Sequence, residues 1–103
     1  ALPRPKAADG VTKGVVLRVD AFGNLITNFR SADLPESAMQ DGALKLQVGT
    51  HAVTKLVDTF ARGETGQPVA YVGSSGFLEI AVNKANAART LGIARGAAVV
   101  LSN

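Results

Sequence analysis

The stretch VTKGVVLRVDAFGNLITNF, residues 11–29, decides the expected fold. Apolar residues alternate with other residues over 11–20, which predicts a β-strand. Three apolar side chains are expected to share one face of it: Val15, Leu17 and Val19. The residues at 22–24, Phe-Gly-Asn, break the alternation, because Gly and Asn tolerate the positive φ of a turn or bulge. Apolar residues resume at 25–29, so the stretch predicts two strands joined by a tight break.

Downstream, the sequence predicts further short strands and two short helices. Strand patterns recur at 44–48, 51–57, 68–73, 77–82 and 97–101. Asp33, Pro35 and Glu36 form a helix-start signal that predicts one or two turns within 31–39. Small and apolar residues predict a second helix at 84–92, with Gly92 at its end. The fold class is therefore mostly β: a small closed or partly closed barrel of six or seven strands with one or two short helices.

The length of 103 residues suits one domain. Pro3 and Pro5 favour extended backbone, and small, polar residues follow them. Residues 1–12 are therefore predicted to be the remnant of an interdomain linker, and 13–103 the domain itself.

Composition limits the class of protein. The chain has no cysteine, which excludes disulfides and thiolate metal sites and fits a reducing compartment such as the cytoplasm. Its net charge is +3, and the basic residues are spread along the chain, with no basic run interleaved with aromatic residues. A solvated basic surface is therefore favoured over nucleic-acid binding. No apolar run approaches the roughly 20 residues that a membrane helix needs, so no membrane partner is expected.

Complete catalytic machinery is not evident. The single histidine, His51, lies in a predicted hairpin and is expected at the surface. Ser74 and Ser75 stand between glycines, but they do not match a nucleophile elbow and have no evident histidine base. No metal site, cofactor site or catalytic residue is assigned, and the residues alone favour a binding module over a complete enzyme.

Two polar clusters interrupt the strand patterns. The first contains Asp20, Phe22, Gly23, Asn24, Thr27 and Asn28. A carboxylate, an aromatic ring and an amide at one strand break can form a small-molecule site. The carboxylate accepts hydrogen bonds, the ring stacks on a base, and the amide pairs with a purine edge. The alternative is ordinary turn chemistry, with Phe22 in the core.

The second cluster is Gly73-Ser74-Ser75-Gly76, followed by Glu79 and Asn83. Glycines allow a ligand close to the backbone, and hydroxyl or N–H groups can hold a carboxylate. The alternative is a tight hairpin turn. Glu79 shares a face with Phe77 and Ala81, and it either faces solvent or pairs with a basic residue.

The two clusters carry a family resemblance. VDAFGNLITNF at 19–29 and GSSGFLEIAVNKANAARTLG at 73–92 resemble two segments of the S-adenosylmethionine hydroxide adenosyltransferases, which are relatives of the fluorinase and chlorinase halogenases. The resemblance extends from Lys13 to Leu101. It implies a two-domain subunit in which an N-terminal α/β domain precedes a C-terminal β-barrel. It also implies homotrimers that bind S-adenosylmethionine between the N-terminal domain of one subunit and the barrel of its neighbour.

The resemblance also implies roles for residues of the first cluster and of the loop at 58–67. Asp20 is expected to contact the methionine amino group, since its charge complements an ammonium. Phe22 and Phe60 are expected to wall the adenosine. Asn24 is expected to recognise the adenine edge through its amide.

In the second cluster, the resemblance implies that Ser74 holds the methionine carboxylate. The backbone from Val82 to Lys84 is expected to complete adenine recognition. Ser75 departs from halogenase relatives that can place an arginine there, which favours the hydroxide-transferring branch.

The implied reaction is attack of water or hydroxide on the 5′-carbon of S-adenosylmethionine, giving adenosine and methionine, with the water-activating residues in the N-terminal domain. The isolated chain is therefore expected to bind without turnover. Two alternatives stay open: the same domain of a halogenase, and a free-standing β-barrel binding module.

Overall fold

The structure, a computed structural model, describes residues 3–40, 43–58 and 66–102. Within these ranges it contains eight strands: β1 Lys6–Ala8, β2 Val11–Val19, β3 Leu25–Arg30, β4 Leu46–Val48, β5 His51–Val53, β6 Pro68–Val72, β7 Phe77–Val82 and β8 Ala98–Ser102. One α-helix, α1, spans Ala87–Leu91, and two 3-10 helices span Ser31–Asp33 and Glu36–Met39. The predicted helical turns within 31–39 therefore form, as 3-10 helices.

Seven of these strands form an antiparallel sheet that curls into a nearly closed barrel. Their order across the sheet is β5-β4-β8-β2-β3-β7-β6. The two outer strands approach each other beside Ala70, whose N–H donates to the Lys55 carbonyl and whose carbonyl accepts from the Val57 N–H, at 2.9 and 2.8 Å. The predicted fold class is confirmed.

The remaining strand, β1, pairs with β2 and lies inside the segment predicted to be a linker. All three of its residues are exposed. The division of the chain at 12/13 stays a prediction.

The barrel interior is apolar, and α1 contributes to it. Buried side chains from most strands meet in one cluster, including Phe29, Leu25, Leu78, Ile80 and Leu101. Ala87 and Leu91 of α1 join the same cluster. Burial of each large side chain stabilises the fold by about 1.5–3 kcal/mol. The helix, which packs against β7, is thereby fixed beside the β2–β3 connection.

The three apolar side chains predicted to share one face of β2 are not the buried ones. Val16 is the buried residue of this strand, whereas Val19 is 37% exposed. The pairing of β2 with β3 shifts register between Val16 and Arg18. The sequence alternation does not indicate which face of a strand is buried, and it does not reveal a bulge.

Two polar residues of the first cluster stabilise the strands. The Thr27 hydroxyl donates to the Leu78 carbonyl at 2.7 Å, and the Asn28 Oδ1 accepts from the Val15 N–H at 2.8 Å. Both side chains are at most 3% exposed and lie where β3 and β7 shift register. They satisfy backbone groups that a regular ladder would pair, so their role is structural.

Candidate functional site

The break between β2 and β3 is a tight turn held by Asp20. Asp20 Oδ1 accepts hydrogen bonds from the backbone N–H groups of Phe22 and Asn24, both at 2.9 Å. The Asp20 N–H donates to the Asn24 carbonyl at 3.0 Å, and the Gly23 N–H donates to the Asp20 carbonyl at 3.0 Å. This is the arrangement by which aspartate stabilises a turn. Among the described residues, Asp20 Oδ2 has no hydrogen-bond partner.

The same turn is docked on the start of α1. The Ala88 N–H donates to the Gly23 carbonyl at 2.9 Å. Asn86 caps the helix, because its Oδ1 accepts from the Arg89 N–H at 2.9 Å. The Asn86 amide also lies directly against Gly23, where a side chain would overlap it. Gly23 has a φ of +86°, so both backbone conformation and space favour glycine here.

A second turn, at 82–85, faces the first. The Ala85 N–H donates to the Val82 carbonyl at 3.0 Å as the chain leaves β7. Lys84 adopts a φ of +60°, which is uncommon for a residue with a Cβ. Departures of this kind concentrate at functional sites.

The two turns and β6 enclose a pocket of about 430 Å³. It is lined by Asp20, Phe22, Asn24, Tyr71, Val82, Lys84 and Ala85. Other clefts of similar size exist, at about 430 and 450 Å³, so volume does not identify the site. The cleft of about 450 Å³ also has a carboxylate, an amide and an aromatic ring, whereas this pocket adds a phenol and is lined by five residues that the sequence predicted for the site. Sites for small molecules combine apolar walls with a few polar groups in this way.

The side chains of the first turn present different chemistry to this pocket. Phe22 is 79% exposed, so the alternative that placed its ring in the core was wrong. The exposed ring is available for stacking. Asn24 is only 8% exposed. Its Nδ2 donates to the Tyr71 hydroxyl at 3.4 Å.

Tyr71 lines the pocket, and Glu79, which is outside the lining, is its hydrogen-bond partner. They are paired across β6 and β7, and the Tyr71 hydroxyl donates to Glu79 Oε1 at 2.7 Å. Burial raises the pKa of the Tyr71 hydroxyl above its usual range, and the hydrogen bond and negative charge of Glu79 raise it further. The charge of Asp20 adds to this, whereas the Asn24 hydrogen bond opposes it. The hydroxyl therefore stays protonated at neutral pH.

The pair gives Glu79 a partner that the sequence did not predict, and it adds Tyr71 to the candidate site. Glu79 bonds to a tyrosine, and its carboxylate also lies against Gly73. Tyr71 was not singled out in the sequence. The available signal was that it is the chain's single tyrosine, in a strand that precedes the second cluster.

The structure brings together five of the eight predicted site residues: Asp20, Phe22, Asn24, Val82 and Lys84. Ser74 and Ser75 are exposed in the β6–β7 turn, closed by a hydrogen bond of 2.9 Å from the Gly76 N–H to the Gly73 carbonyl, and they do not line the pocket. The turn starts two residues beyond Tyr71, or about 7 Å along an extended strand. Phe60 lies outside the described residues.

Two features are not seen in the ranges that the structure describes: a metal-ligand cluster and a membrane-spanning helix. The described ranges contain no group of three or more His, Cys, Asp or Glu residues placed to hold a metal ion. No helix in those ranges is long and apolar enough to cross a membrane.

Comparison with known proteins assigns the family. The profile of the SAM hydroxide adenosyltransferase C-terminal domain matches residues 14–100. The chain is 38% identical over 97 residues to an (R)-S-adenosyl-L-methionine hydrolase from Thermus thermophilus, covering 94% of the chain and 34% of that protein. It is 33% identical to a fluorinase from Actinoplanes sp., covering 99% of the chain and 36% of that protein. The chain therefore spans about one third of the length of these curated relatives.

Solved structures agree. A conserved hypothetical protein from Thermus thermophilus superposes with a TM-score of 0.69 at 37% identity, covering 86% of this chain and 34% of that one. An uncharacterized conserved protein from Thermotoga maritima gives a TM-score of 0.78 at 25% identity, covering 100% of this chain and 40% of that one. With the barrel, both sequence segments and the profile in agreement, the chain belongs to the SAM hydroxide adenosyltransferase family and corresponds to its C-terminal domain.

Proposed function

We propose that this domain binds the substrate of an enzyme that hydrolyses S-adenosylmethionine to adenosine and methionine. The observation that carries the proposal is the pocket between the turns at 20–24 and 82–85, on a barrel of this family. The family's hydrolase from Thermus thermophilus is the relative that supports this reaction.

The pocket lining suits the adenosine end of the substrate. Phe22 offers an exposed ring for stacking on a base, and Asn24 offers a carbonyl oxygen and an N–H to a purine edge. The backbone at Val82 to Lys84 adds N–H and C=O groups beside them. Phe60 is proposed as a second wall of the adenosine, from the family resemblance alone.

The charges suit a cationic ligand with an amino-acid end. Asp20 and Glu79 place two carboxylates around Tyr71, and both act electrostatically on its hydroxyl. S-adenosylmethionine carries a sulfonium and an ammonium, and nearby carboxylates stabilise both positive charges. Asp20 is proposed to receive the ammonium, and the hydroxyl groups of Ser74 and Ser75 the carboxylate.

The reaction needs groups beyond this domain. Water attacks the 5′-carbon, the C–S bond breaks with its electron pair leaving on the methionine sulfur, and a base removes the proton of the attacking water. We place that base in the N-terminal domain of a neighbouring subunit in a cytoplasmic homotrimer, with no cofactor. This domain then contributes a held and oriented substrate.

Substitution of Asn24 by Ala tests the site. We expect S-adenosylmethionine and adenosine to bind more than about tenfold more weakly, because two hydrogen bonds to the base are lost. Binding is measured by NMR titration of the isotopically labelled chain, which detects millimolar affinities. Gln47→Ala is the matched control, since it removes an exposed amide in β4, outside the pocket lining.

The wild-type titration and a product assay decide the function. Shifts confined to the pocket residues support the proposal, whereas no shift with either ligand at millimolar concentration contradicts it. The assay uses a chimera in which this chain replaces the matching third of the Thermus thermophilus hydrolase. We expect adenosine from the chimera and no product from the chain alone; a 5′-halo-adenosine formed only with halide present would instead assign a halogenase.

A further inference from the structure

A chain of hydrogen bonds links Asn24 and Tyr71, which line the pocket, to Glu79 behind them. Asn24 Nδ2 donates to the Tyr71 hydroxyl at 3.4 Å, and that hydroxyl donates to Glu79 Oε1 at 2.7 Å. The three residues come from three adjacent strands or their ends, β3, β6 and β7. Their order is therefore set by strand register.

The single proton of the Tyr71 hydroxyl determines how the Asn24 amide is oriented. A carboxylate is a stronger acceptor than an amide oxygen, and the short distance to Glu79 indicates that the proton lies there. The phenol oxygen can then only accept from Asn24. If the amide were rotated by 180°, two oxygen atoms would face each other without a proton between them. The 3.4 Å hydrogen bond from Asn24 Nδ2 to the Tyr71 hydroxyl therefore fixes which way the Asn24 amide points.

This orientation leaves the Asn24 carbonyl oxygen for a ligand. No hydrogen bond to Asn24 Oδ1 occurs among the described residues. Within those residues, no fully buried side-chain oxygen or nitrogen lacks a partner. Oδ1 of this residue, which is 8% exposed, must therefore reach solvent, and its accessible side is the pocket that it lines.

We propose that Tyr71 and Glu79 are positioning residues that hold Asn24 Oδ1 toward the ligand, so that the pocket selects 6-aminopurine over 6-oxopurine nucleosides. An exocyclic amine donates to a carbonyl oxygen, whereas a 6-oxo group would bring a second acceptor against it. The occupant rests on the proposed function above. The orientation rests on the hydrogen bonds alone.

Adenosine and inosine test the proposal, because they differ in this group and are both neutral. We expect the wild-type chain to bind adenosine roughly tenfold more tightly than inosine, from one hydrogen bond gained and one repulsion avoided. Tyr71→Phe keeps the ring and removes the hydroxyl. Glu79→Leu removes the acceptor and frees the phenol proton for Asn24. Either substitution should reduce the adenosine preference to about twofold or less, measured by NMR titration.

The double variant and a control complete the test. Because both substitutions break one chain of hydrogen bonds, Tyr71→Phe with Glu79→Leu should lower the preference no further than either alone. Val72→Thr, in the same strand but outside the pocket lining, should keep the preference. Dispersed amide spectra establish that each variant is folded. If Tyr71→Phe does not fold, the ratio for Glu79→Leu decides.

The outcomes separate the two proposals. A wild-type chain that binds neither nucleoside contradicts the proposed function. A wild-type chain that binds adenosine, with an adenosine preference unchanged in the folded variants, overturns only the positioning role. Equal binding of both nucleosides by the wild type also overturns it. Losses that add in the double variant would show two independent contacts, and would overturn the shared chain.

Discussion

Substitution of Gly23 by Ala should destabilise the domain by more than the cost of its backbone conformation. Gly23 has a φ of +86°, and this left-handed region costs a residue with a Cβ about 1–2 kcal/mol. The new methyl group would also overlap the side chain of Asn86 at its Cγ, Oδ1 and Nδ2 atoms. Asn86 must then leave its capping position, which costs about 0.5–2 kcal/mol. The expected loss in the free energy of unfolding is about 1.5–4 kcal/mol.

The chain provides a matched control for the backbone cost. Gly10 has a φ of +81°, and a Cβ there would meet nothing within 4 Å. Gly10→Ala should therefore lose only about 1–2 kcal/mol. Thermal and urea unfolding measure both variants. Because each kcal/mol shifts Tm by roughly 4–8 °C in a domain of this size, the two should differ by several degrees.

A second background isolates the clash. Asn86→Ala removes all three overlapping atoms and costs about 1 kcal/mol through the lost cap. In that background, Gly23→Ala should cost no more than Gly10→Ala. Strong non-additivity of this kind is expected only for residues in contact. Equal costs for Gly23→Ala and Gly10→Ala in the wild-type background would contradict the expected clash, since Asn86 would then be free to move without loss.

Two further predictions concern the pocket. Lys84→Ala should change adenosine affinity by less than about twofold, because recognition at this turn is assigned to the backbone; a tenfold loss in the same NMR titration would assign the side chain instead. Tyr71 is the chain's single tyrosine and the chain has no tryptophan, so near-ultraviolet absorbance follows its ionisation alone. Burial and Glu79 raise its pKa in the folded state, so its contribution to stability should be constant below about pH 10, the unfolded value, and fall as pH rises beyond it. Ionisation of the folded chain near pH 10, as in urea, would contradict this.

Local chemistry made the turns predictable. Asp20, Gly23 and Asn24 are residue types that turns recruit, and the structure uses each of them in one. Gly92 ends α1 in the left-handed conformation, with a φ of +68°, as its position in the sequence predicted. In both cases the determining contacts lie within about four residues.

Register was not predictable in the same way. Val16 is the buried residue of β2, and the register shift against β3 begins after it; that shift depends on a strand paired across the sheet. Thr27 and Asn28 are the same kinds of residue as those of the pocket, yet they serve backbone groups of β7 and β2. Their role follows from which strands lie beside β3, which composition does not indicate. The Tyr71–Glu79 pair depends on register as well.

The two interpretations that the sequence left open for the first cluster are compatible. Asp20 uses one carboxylate oxygen, Oδ1, to hold the turn, and Oδ2 has no hydrogen-bond partner among the described residues. Holding the turn also orders Phe22 and Asn24, because their N–H groups are the ones that Oδ1 binds. Asp20 binds both N–H groups and lines the same pocket. Less entropy is therefore lost when a ligand orders the site. The turn chemistry is therefore a reason to expect a preorganised site here, and it does not count against one.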